Sequence, residues 1–316
     1  MNQKTKHVGV QVVLVAFFLL AVGYLGQVGW GLRPTPTPTP TVTPTVVRTW
    51  FDGRRAYEHV LAQMAFGPRV PGTEAAGRTR LYIRNALLRV GWTPEQEAFT
   101  YEGVRLVNLV ARRGQGPVII IGAHYDTRRV AERDPIPEKR SEPVPGANDG
   151  ASGVAVLLEL ARVLRWDERQ YAVWLYFFDA EDQGNLNGWP WAVGARYAAR
   201  NLPPNVDVQA VIIVDMIGDA DQQLYWERNS TPELKQSLWA IAAALGYGDY
   251  FLPEEKYTII DDHVPFLERG IPAIDIIDFD YPYWHTTQDT ADKVSPDSLE
   301  RVGRVVQQWV ETRNSK

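Results

Sequence analysis

One stretch near the middle of the chain constrains the fold more than any other. It is the apolar run Tyr171–Phe178, which ends abruptly at the acids Asp179, Glu181 and Asp182. A run of β-branched and aromatic residues of this length is typical of a strand buried on both faces, as in a parallel sheet. Acids just past such a strand lie at its carboxyl end, where open α/β sheets place their sites. Because Glu181 and Asp182 are adjacent, their side chains point in different directions. One can therefore hold a metal while the other acts on a substrate.

The rest of the globular region alternates between strand and helix patterns. Further strands are predicted at 108–112, 118–123, 210–214 and 273–277. Helices are predicted at 75–90, 151–164 and 191–200. A last helix is predicted to start with Ser295 as its N-cap and Pro296 in its first position. Strands that alternate with helices indicate an α/β domain with a mainly parallel sheet covered on both sides.

The N-terminal residues have the features of a membrane anchor. A short basic flank with Lys4 and Lys6 precedes a mostly apolar run from Val8 to about Leu32, which is long enough to cross a bilayer. The flank predicts that the remainder of the chain lies outside the cytoplasm. A cleaved signal peptide is the alternative, but the apolar run is longer than such peptides need and no A-x-A site follows it.

A proline-rich stretch separates this anchor from the globular region. Proline and threonine alternate after Arg33, so the backbone is predicted to be extended and to act as a stiff spacer. The predicted organisation is a basic flank and transmembrane anchor at 1–32, a linker at 33–47 and an extracytoplasmic domain at 48–316.

Composition excludes several kinds of partner and site. The formal net charge is −5 and no basic cluster is present, which argues against a nucleic-acid surface. The chain has no cysteine, so disulfides, thiolate zinc sites and a cysteine nucleophile are excluded. Any metal must therefore be bound by His, Asp and Glu.

Five polar clusters each follow a strand or an apolar run. Their candidate residues are His124 with Asp126, Asp149, Glu181 with Asp182, Asp215, and His285 with Asp289. A histidine ligand usually donates its other N–H to a carboxylate, which makes Asp126 a candidate partner of His124. Asp215 closes an apolar run and needs a partner or a metal, because an unpaired buried charge is unfavourable. Taken singly, each cluster also has an ordinary explanation, such as a helix N-cap for Asp149 or a packed core imidazole for His285.

Taken together, the clusters predict a metal site. His124, Asp149, Asp182, Asp215 and His285 supply two imidazoles and three carboxylates. Nitrogen and oxygen ligands with an open coordination position suit a catalytic zinc, or a pair of zincs bridged by one carboxylate. Suitable ligands at the ends of five separate segments are improbable by chance. The sequence therefore predicts a zinc enzyme.

The order of these motifs resembles the superfamily of zinc aminopeptidases and glutaminyl cyclases. The matching segments are His-x-Asp, Asn-Asp-Gly-Ala-Ser-Gly, Asp-Ala-Glu-Asp, Asp-Met-Ile-Gly and Trp-His-Thr, and the likeness runs from about Gly67 to the last helix. The resemblance implies a three-layer α/β/α sandwich around a mixed, mainly parallel sheet. It also implies that Glu181 is the general acid/base. In the aminopeptidases, residues matching all five candidate ligands bind two zincs, and the residue matching Asp149 bridges them.

The glutaminyl cyclases of this superfamily keep a single zinc. The resemblance implies that Asp149, Asp182 and His285 would hold it in this chain. Asp182 stands where both branches often have glutamate. Its shorter side chain would place a metal nearer the end of the strand. The sequence leaves open whether the site binds one zinc or two.

Three details resemble the cyclase branch. Residues 261–267 look like its Asp-Asp-His-x-Pro-Phe-Leu segment, which implies that Asp262 joins Glu181 and Asp215 in a proton-sharing network. Trp284 directly before His285 is a second detail, and tryptophans that follow the acidic cluster are a third. The resemblance implies a substrate pocket formed by Trp284, Trp189 and Trp191.

The leading functional expectation is cyclisation of an N-terminal glutamine of peptides or proteins to pyroglutamate with release of ammonia. Glu181 would take a proton from the attacking amine and deliver it to the departing ammonia. The alternative is an aminopeptidase with two zincs, in which Glu181 activates water to cleave the first peptide bond. A third possibility from another class is a non-catalytic surface binding domain that carries an inactive site.

Overall fold

The computed structural model describes residues 49–313 of the 316-residue chain. The predicted anchor at 1–32 and linker at 33–47 lie outside the described residues. Between Thr49 and Arg313, no helix combines the length and the apolar character that a bilayer span requires.

The domain is built on a mixed β-sheet. Its strands are β1 (Pro94–Tyr101), β2 (Val104–Arg113), β3 (Val118–His124), β4 (Ala172–Phe178), β5 (Val208–Asp215), β6 (Leu224–Glu227), β7 (Phe251–Tyr257) and β8 (Ala273–Ile277). Six strands form the central sheet in the order β1-β2-β4-β3-β5-β8, while β6 and β7 form a separate parallel pair. The ladders β1–β2 and β2–β4 are antiparallel, and β4, β3, β5 and β8 are parallel. The predicted mixed, mainly parallel sheet is confirmed.

Helices cover both faces of this sheet. They are α1 (Gly53–Met64), α2 (Glu74–Arg89), α3 (Ala151–Val163), α4 (Val193–Arg200), α5 (Pro232–Ala244), α6 (Val264–Leu267) and α7 (Pro296–Thr312). In β4, Leu175 packs in the core that contains α1, α2, α3, α5 and α7, whereas Tyr176 packs in the core that contains α4 and residues of α6. Since successive strand residues point to opposite faces, the apolar run of β4 serves two helical layers. The structure is therefore the predicted α/β/α sandwich.

Most of the elements predicted from apolar runs are present with nearly the predicted bounds. The last helix begins at Pro296, and the Ser295 side chain accepts a hydrogen bond from the backbone N–H of Asp297 at 3.2 Å. Two predicted starts were wrong, because β2 begins at Val104 and not at Asn108, and α4 begins at Val193 and not at Trp191. Ala192 has a φ of 59°, a left-handed backbone that an α-helix cannot include.

Two helical glycines provide a test of packing in this fold. A Cβ at Gly303 in α7 would overlap the buried Phe51 ring, whereas a Cβ at Gly77 in α2 would contact only the Arg80 side chain. We expect Gly303→Ala to lower the free energy of unfolding by about 1–3 kcal/mol through overpacking. The matched control, Gly77→Ala, should raise it by up to about 1 kcal/mol through helix propensity. Urea unfolding of both variants measures these changes, and stabilisation by Gly303→Ala would contradict the packing.

Candidate active site

The candidate site lies where the parallel strands end. β3 ends at His124, and β5 ends at Asp215. The turn after β4 carries Glu181 and Asp182, and Asp149 lies just before the first residue of α3. Because β4, β3 and β5 are neighbours and parallel, their carboxyl ends bring these side chains to one edge of the sheet.

The five predicted ligands form two groups that share Asp149. In one group, His124 Nε2 lies 3.2 Å from Asp149 Oδ1 and 3.1 Å from Asp215 Oδ1. In the other, His285 Nε2 lies 3.0 Å from Asp182 Oδ1 and 3.9 Å from Asp149 Oδ2. The candidate ligand atoms within each group lie within 4.8 Å of one another. One carboxylate thus turns one oxygen toward each group.

The chemistry of both groups fits zinc. Each combines an imidazole nitrogen with carboxylate oxygens, which are donors that zinc prefers. The atoms Asp149 Oδ2, Asp182 Oδ2 and His285 Nε2 are buried without a hydrogen-bond partner in the described part of the chain. Buried polar atoms are rarely left unpaired, so a cation at this position accounts for them.

Two further carboxylates, Asp126 and Asp289, accept hydrogen bonds from the segments that carry the ligands. Asp126 accepts hydrogen bonds from the backbone N–H groups of Glu181 at 2.9 Å and Asp182 at 3.3 Å, and its Oδ1 lies 3.4 Å from His124 Nδ1. Asp289 accepts a hydrogen bond from the backbone N–H of Asp149 at 3.1 Å. The sequence-based candidates Asp126 and Asp289 therefore lie where a supporting role requires them.

The contact of Asp289 with the Asp149 loop leads to a measurable prediction. Asparagine has one acceptor oxygen, but Asp289 uses both oxygens on the backbone N–H groups of Asn148 and Asp149. We expect Asp289→Asn to weaken zinc binding by about 10–100-fold, as is typical when a supporting residue is lost. Competition with a chromophoric chelator measures this change. The control Asp292→Asn alters an exposed carboxylate and should leave the affinity unchanged. Equal affinities for the two variants would contradict the prediction.

The backbone at the site is unusual. Ala180, Met216 and His285 have positive φ angles of 56°, 45° and 57°. Residues other than glycine seldom adopt this conformation, and it persists where the surrounding structure enforces it. Ala180 precedes Glu181, and Met216 follows Asp215, so the strain lies at the functional side chains.

A cavity of about 210 Å³ opens beside the Asp149–Asp182–His285 group. Its lining residues are Asp149, Glu181, Asp182, Trp191, Asp215, Met216, Thr258, Ile259, Ile260, Asp261, Ile277, Phe279 and Trp284. The predicted pocket residues Trp191 and Trp284 form part of this wall. Trp189 does not, because its ring is buried in an apolar cluster with Leu106, Ala180 and Val193. The prediction for Trp189 was therefore wrong.

Carboxylates crowd one end of the cavity. Burial raises the pKa of Glu181 well above its ordinary value, and the charge of Asp261 adds to the rise. Burial also raises the pKa of Asp215 to about 7, although the charge of His124 opposes it. Acids with a raised pKa suit proton transfer.

The adjacent acids Asp261 and Asp262 differ in their position relative to the cavity, and the charge of each contributes to the raised pKa of Glu181. Asp261 lines the cavity, whereas the predicted Asp262 is fully buried and does not line it. Neither carboxylate oxygen of Asp262 accepts a hydrogen bond from any residue between 49 and 313. Two adjacent acids look alike in a sequence, and only the backbone direction before α6 distinguishes them.

The sequence also gave no indication of two residues that contact the ligands. Glu132 Oε1 lies 2.7 Å from His285 Nδ1, and Arg128 Nη1 lies 3.5 Å from Asp182 Oδ1. Both belong to an irregular segment between β3 and α3. No apolar periodicity marks such a segment, so its contacts could not be read from the pattern.

Comparisons with known proteins identify the family of this chain. A model of peptidase family M28 matches residues 108–310. The glutaminyl-peptide cyclotransferase of Boiga irregularis is 25% identical over 294 residues, which cover 77% of this chain and 76% of that relative.

Solved structures of both branches are similar to this chain. Porphyromonas gingivalis glutaminyl cyclase has a TM-score of 0.78 and 32% identity, with 82% of this chain and 97% of that chain covered. A leucine aminopeptidase precursor from Bacteroides thetaiotaomicron has a TM-score of 0.79 and 30% identity, with 85% of this chain and 99% of that chain covered. The superfamily indicated by the sequence motifs is confirmed.

Proposed function

Because this chain belongs to peptidase family M28, we propose that it is a zinc-dependent enzyme that cyclises N-terminal glutamine of peptides to pyroglutamate. One observation carries the proposal. Glu181, Asp215 and Asp261 line the same small cavity as Trp191 and Trp284, beside the Asp149–Asp182–His285 group. A small cavity with an aromatic wall and several protonatable acids suits a small ring that forms by internal proton transfer.

The proposed reaction joins two groups of one residue. The α-amine nitrogen of the peptide attacks the carbonyl carbon of its own glutamine side chain. A C–N bond forms, the bond to the amide nitrogen breaks, and ammonia leaves. Because the attack is intramolecular, proximity supplies much of the rate and no water is consumed.

Glu181 carries the proton in this reaction. Its carboxylate takes a proton from the attacking amine and then donates it to the departing nitrogen. Asp261 and Asp215 line the same cavity, and burial with the charge of Asp261 raises the pKa of Glu181, which favours the protonated acid that returns the proton. A zinc ion held by Asp149, Asp182 and His285 would polarise the side-chain amide carbonyl as a Lewis acid.

The aromatic wall of the cavity excludes water and orients the substrate. Trp284 lies 4.0 Å from the imidazole of His285 between ring centroids, and Trp191 lies 6.0 Å from it. Both aromatic faces therefore lie beside the ligands and line the space that the reacting group would occupy. Water that could intercept the activated amide is thereby kept out.

Hydrolysis of the first peptide bond is the second candidate function. It is favoured by the His124–Asp149–Asp215 group, which provides ligands for a second ion next to the first. In that case Glu181 would take a proton from water rather than from the peptide amine.

One incubation separates the two functions. The enzyme is given a Gln-initiated and a Leu-initiated peptide, and ammonia and free amino acids are measured. Ammonia from the first peptide with no free amino acid from either supports cyclisation. Free leucine from the second peptide, without ammonia from the first, overturns it.

The cellular location is a further part of the proposal. Residues 1–32 would anchor the enzyme in a membrane and 33–47 would separate the domain from its surface, with the domain outside the cytoplasm. The substrates would then be extracytoplasmic peptide or protein N-termini. Fractionation followed by protease treatment of intact cells tests this arrangement.

A further inference from the structure

The segment Arg128–Asp134, called the bridging segment below, contacts both loops that carry the His285-side ligands. Arg128 is buried at its start. It donates hydrogen bonds to the backbone carbonyls of Asp182 at 3.2 Å and Gly184 at 3.1 Å. Its guanidinium therefore fixes the backbone of the acidic turn on both sides of residue 183.

Glu132 links the same arginine to the other ligand loop. Both of its carboxylate oxygens lie 2.8 Å from Arg128 Nε, and Oε1 also lies 2.7 Å from His285 Nδ1. A carboxylate on the outer nitrogen of an imidazole fixes the orientation of the ring and increases the basicity of the other nitrogen. That other nitrogen, Nε2, is the one that faces Asp182.

The end of the bridging segment holds the His285 loop through further bonds. The backbone N–H of Arg133 donates to the carbonyl of His285 at 3.2 Å. Asp134 Oδ2 accepts from the backbone N–H of Thr287 at 2.8 Å. His285 has the left-handed φ of 57° noted above. Such a conformation needs contacts that enforce it, and these bonds provide them.

Two of the three arginines of the segment, Arg128 and Arg133, also cover the aromatic wall of the cavity. The guanidinium carbon of Arg128 lies 5.0 Å from the ring centroid of Trp191, and that of Arg133 lies 4.1 Å from Trp284. Cations at these distances attract aromatic faces. The contacts hold both tryptophans beside the ligands.

From these contacts we infer that Arg128 and Glu132 are positioning residues, which set the Asp182–His285 geometry for zinc and the shape of the cavity. The inference rests on the zinc site of the proposed function. It does not depend on whether the enzyme cyclises or hydrolyses. Neither residue needs to touch the substrate, since each acts through Asp182, His285 or Trp191.

The test of Arg128 compares neighbouring arginines. Arg128→Met removes the guanidinium that donates to the two backbone carbonyls. Arg129→Met alters an arginine that donates to Gln183 Oε1 and lies over Trp189. We expect Arg128→Met to lower zinc affinity by about 10–100-fold and Arg129→Met to change it by less than about twofold. Arg128→Lys keeps the charge but lacks the planar guanidinium that presents donors to both carbonyls and to Glu132, so its affinity should be intermediate.

Glu132 provides an independent test that keeps the fold intact, because its side chain is partly exposed. Glu132→Ala should lower zinc affinity by about 10–100-fold, and Glu132→Gln by less, because glutamine can still accept from the imidazole. Zinc affinity is measured by chelator competition without substrate, so the result is independent of the reaction catalysed.

Kinetics of the zinc-saturated variants give a second readout. With the metal replenished, Arg128→Met should raise KM about tenfold, because Trp191 is less well held, with a smaller change in kcat. If Arg128→Met, Glu132→Ala and Arg129→Met all bind zinc as tightly as the wild type, the inference is overturned. Loss of zinc affinity in the first two alone supports it, even if the Gln-initiated peptide is not a substrate.

Discussion

Replacing Glu181 with glutamine is expected to lower kcat by about 10²–10⁴-fold, the usual contribution of a general acid/base. Glutamine keeps the shape of the side chain but cannot take a proton from an attacking amine or from water. The Glu181 carboxylate lines the cavity and belongs to neither ligand group. The variant should therefore bind zinc and substrate nearly as the wild type does.

Three measurements make this prediction specific. Steady-state kinetics report kcat, elemental analysis reports zinc content, and thermal unfolding reports the fold. Glu268→Gln is the matched control, because Glu268 forms an exposed ion pair with Arg196 at 3.2 Å, and such pairs contribute little. A Glu181→Gln protein that loses its zinc would identify Glu181 as a ligand. Retention of full activity would remove it from the reaction.

The sequence predicted the centre of this fold better than its edges. Every residue of β4 is buried, and a run that must be apolar on both faces is visible without alignment. β1 was not predicted, because Pro94–Tyr101 is an edge strand with alternating exposed residues, including glutamates, and no apolar run. The helix α5 was also not predicted, although its buried positions, such as Leu234 and Leu238, recur at helical spacing.

Three ligands, His124, Asp182 and Asp215, were predictable because each stands at or shortly after the end of a buried strand. An acid at the end of a buried strand, such as Asp215, has few structural explanations. The positions of two supporting residues could not be predicted in this way. Arg128 and Glu132 are positioned by the path of an irregular segment, and that path depends on tertiary contacts with the Asp182 and His285 loops. No local pattern encodes such contacts.

Trp189 and Trp191 illustrate the same limit. Both follow the acidic turn, and both are large aromatic residues that suit a pocket. Trp191 faces the cavity, and a Cβ on Gly184 would overlap its indole ring, so the glycine makes room for it. Trp189 turns into the cluster around Leu106. The two side chains point in different directions, so only Trp191 lines the cavity that a substrate would enter.

Replacing Asp149 is the second change with a large expected effect. Asp149 is the one residue that the two ligand groups share. Asp149→Asn should reduce zinc content to near zero and lower kcat by at least about 10³-fold, since a Lewis-acid metal supplies several kcal/mol of transition-state stabilisation. Asparagine has the volume of aspartate. The chelator-treated variant should therefore unfold at nearly the same temperature as the chelator-treated wild type.

Variants of the unshared ligands show which group the reaction requires. Asp182→Asn alters only the His285 group, and His124→Gln alters only the Asp215 group. For a cyclase that needs one ion, Asp182→Asn should be nearly inactive while His124→Gln keeps much of its activity on a Gln-initiated peptide. For a peptidase that needs two ions, both variants should be inactive on a Leu-initiated peptide. If Asp149→Asn retains both zinc and activity, the shared carboxylate is not a ligand and the assignment of both groups fails.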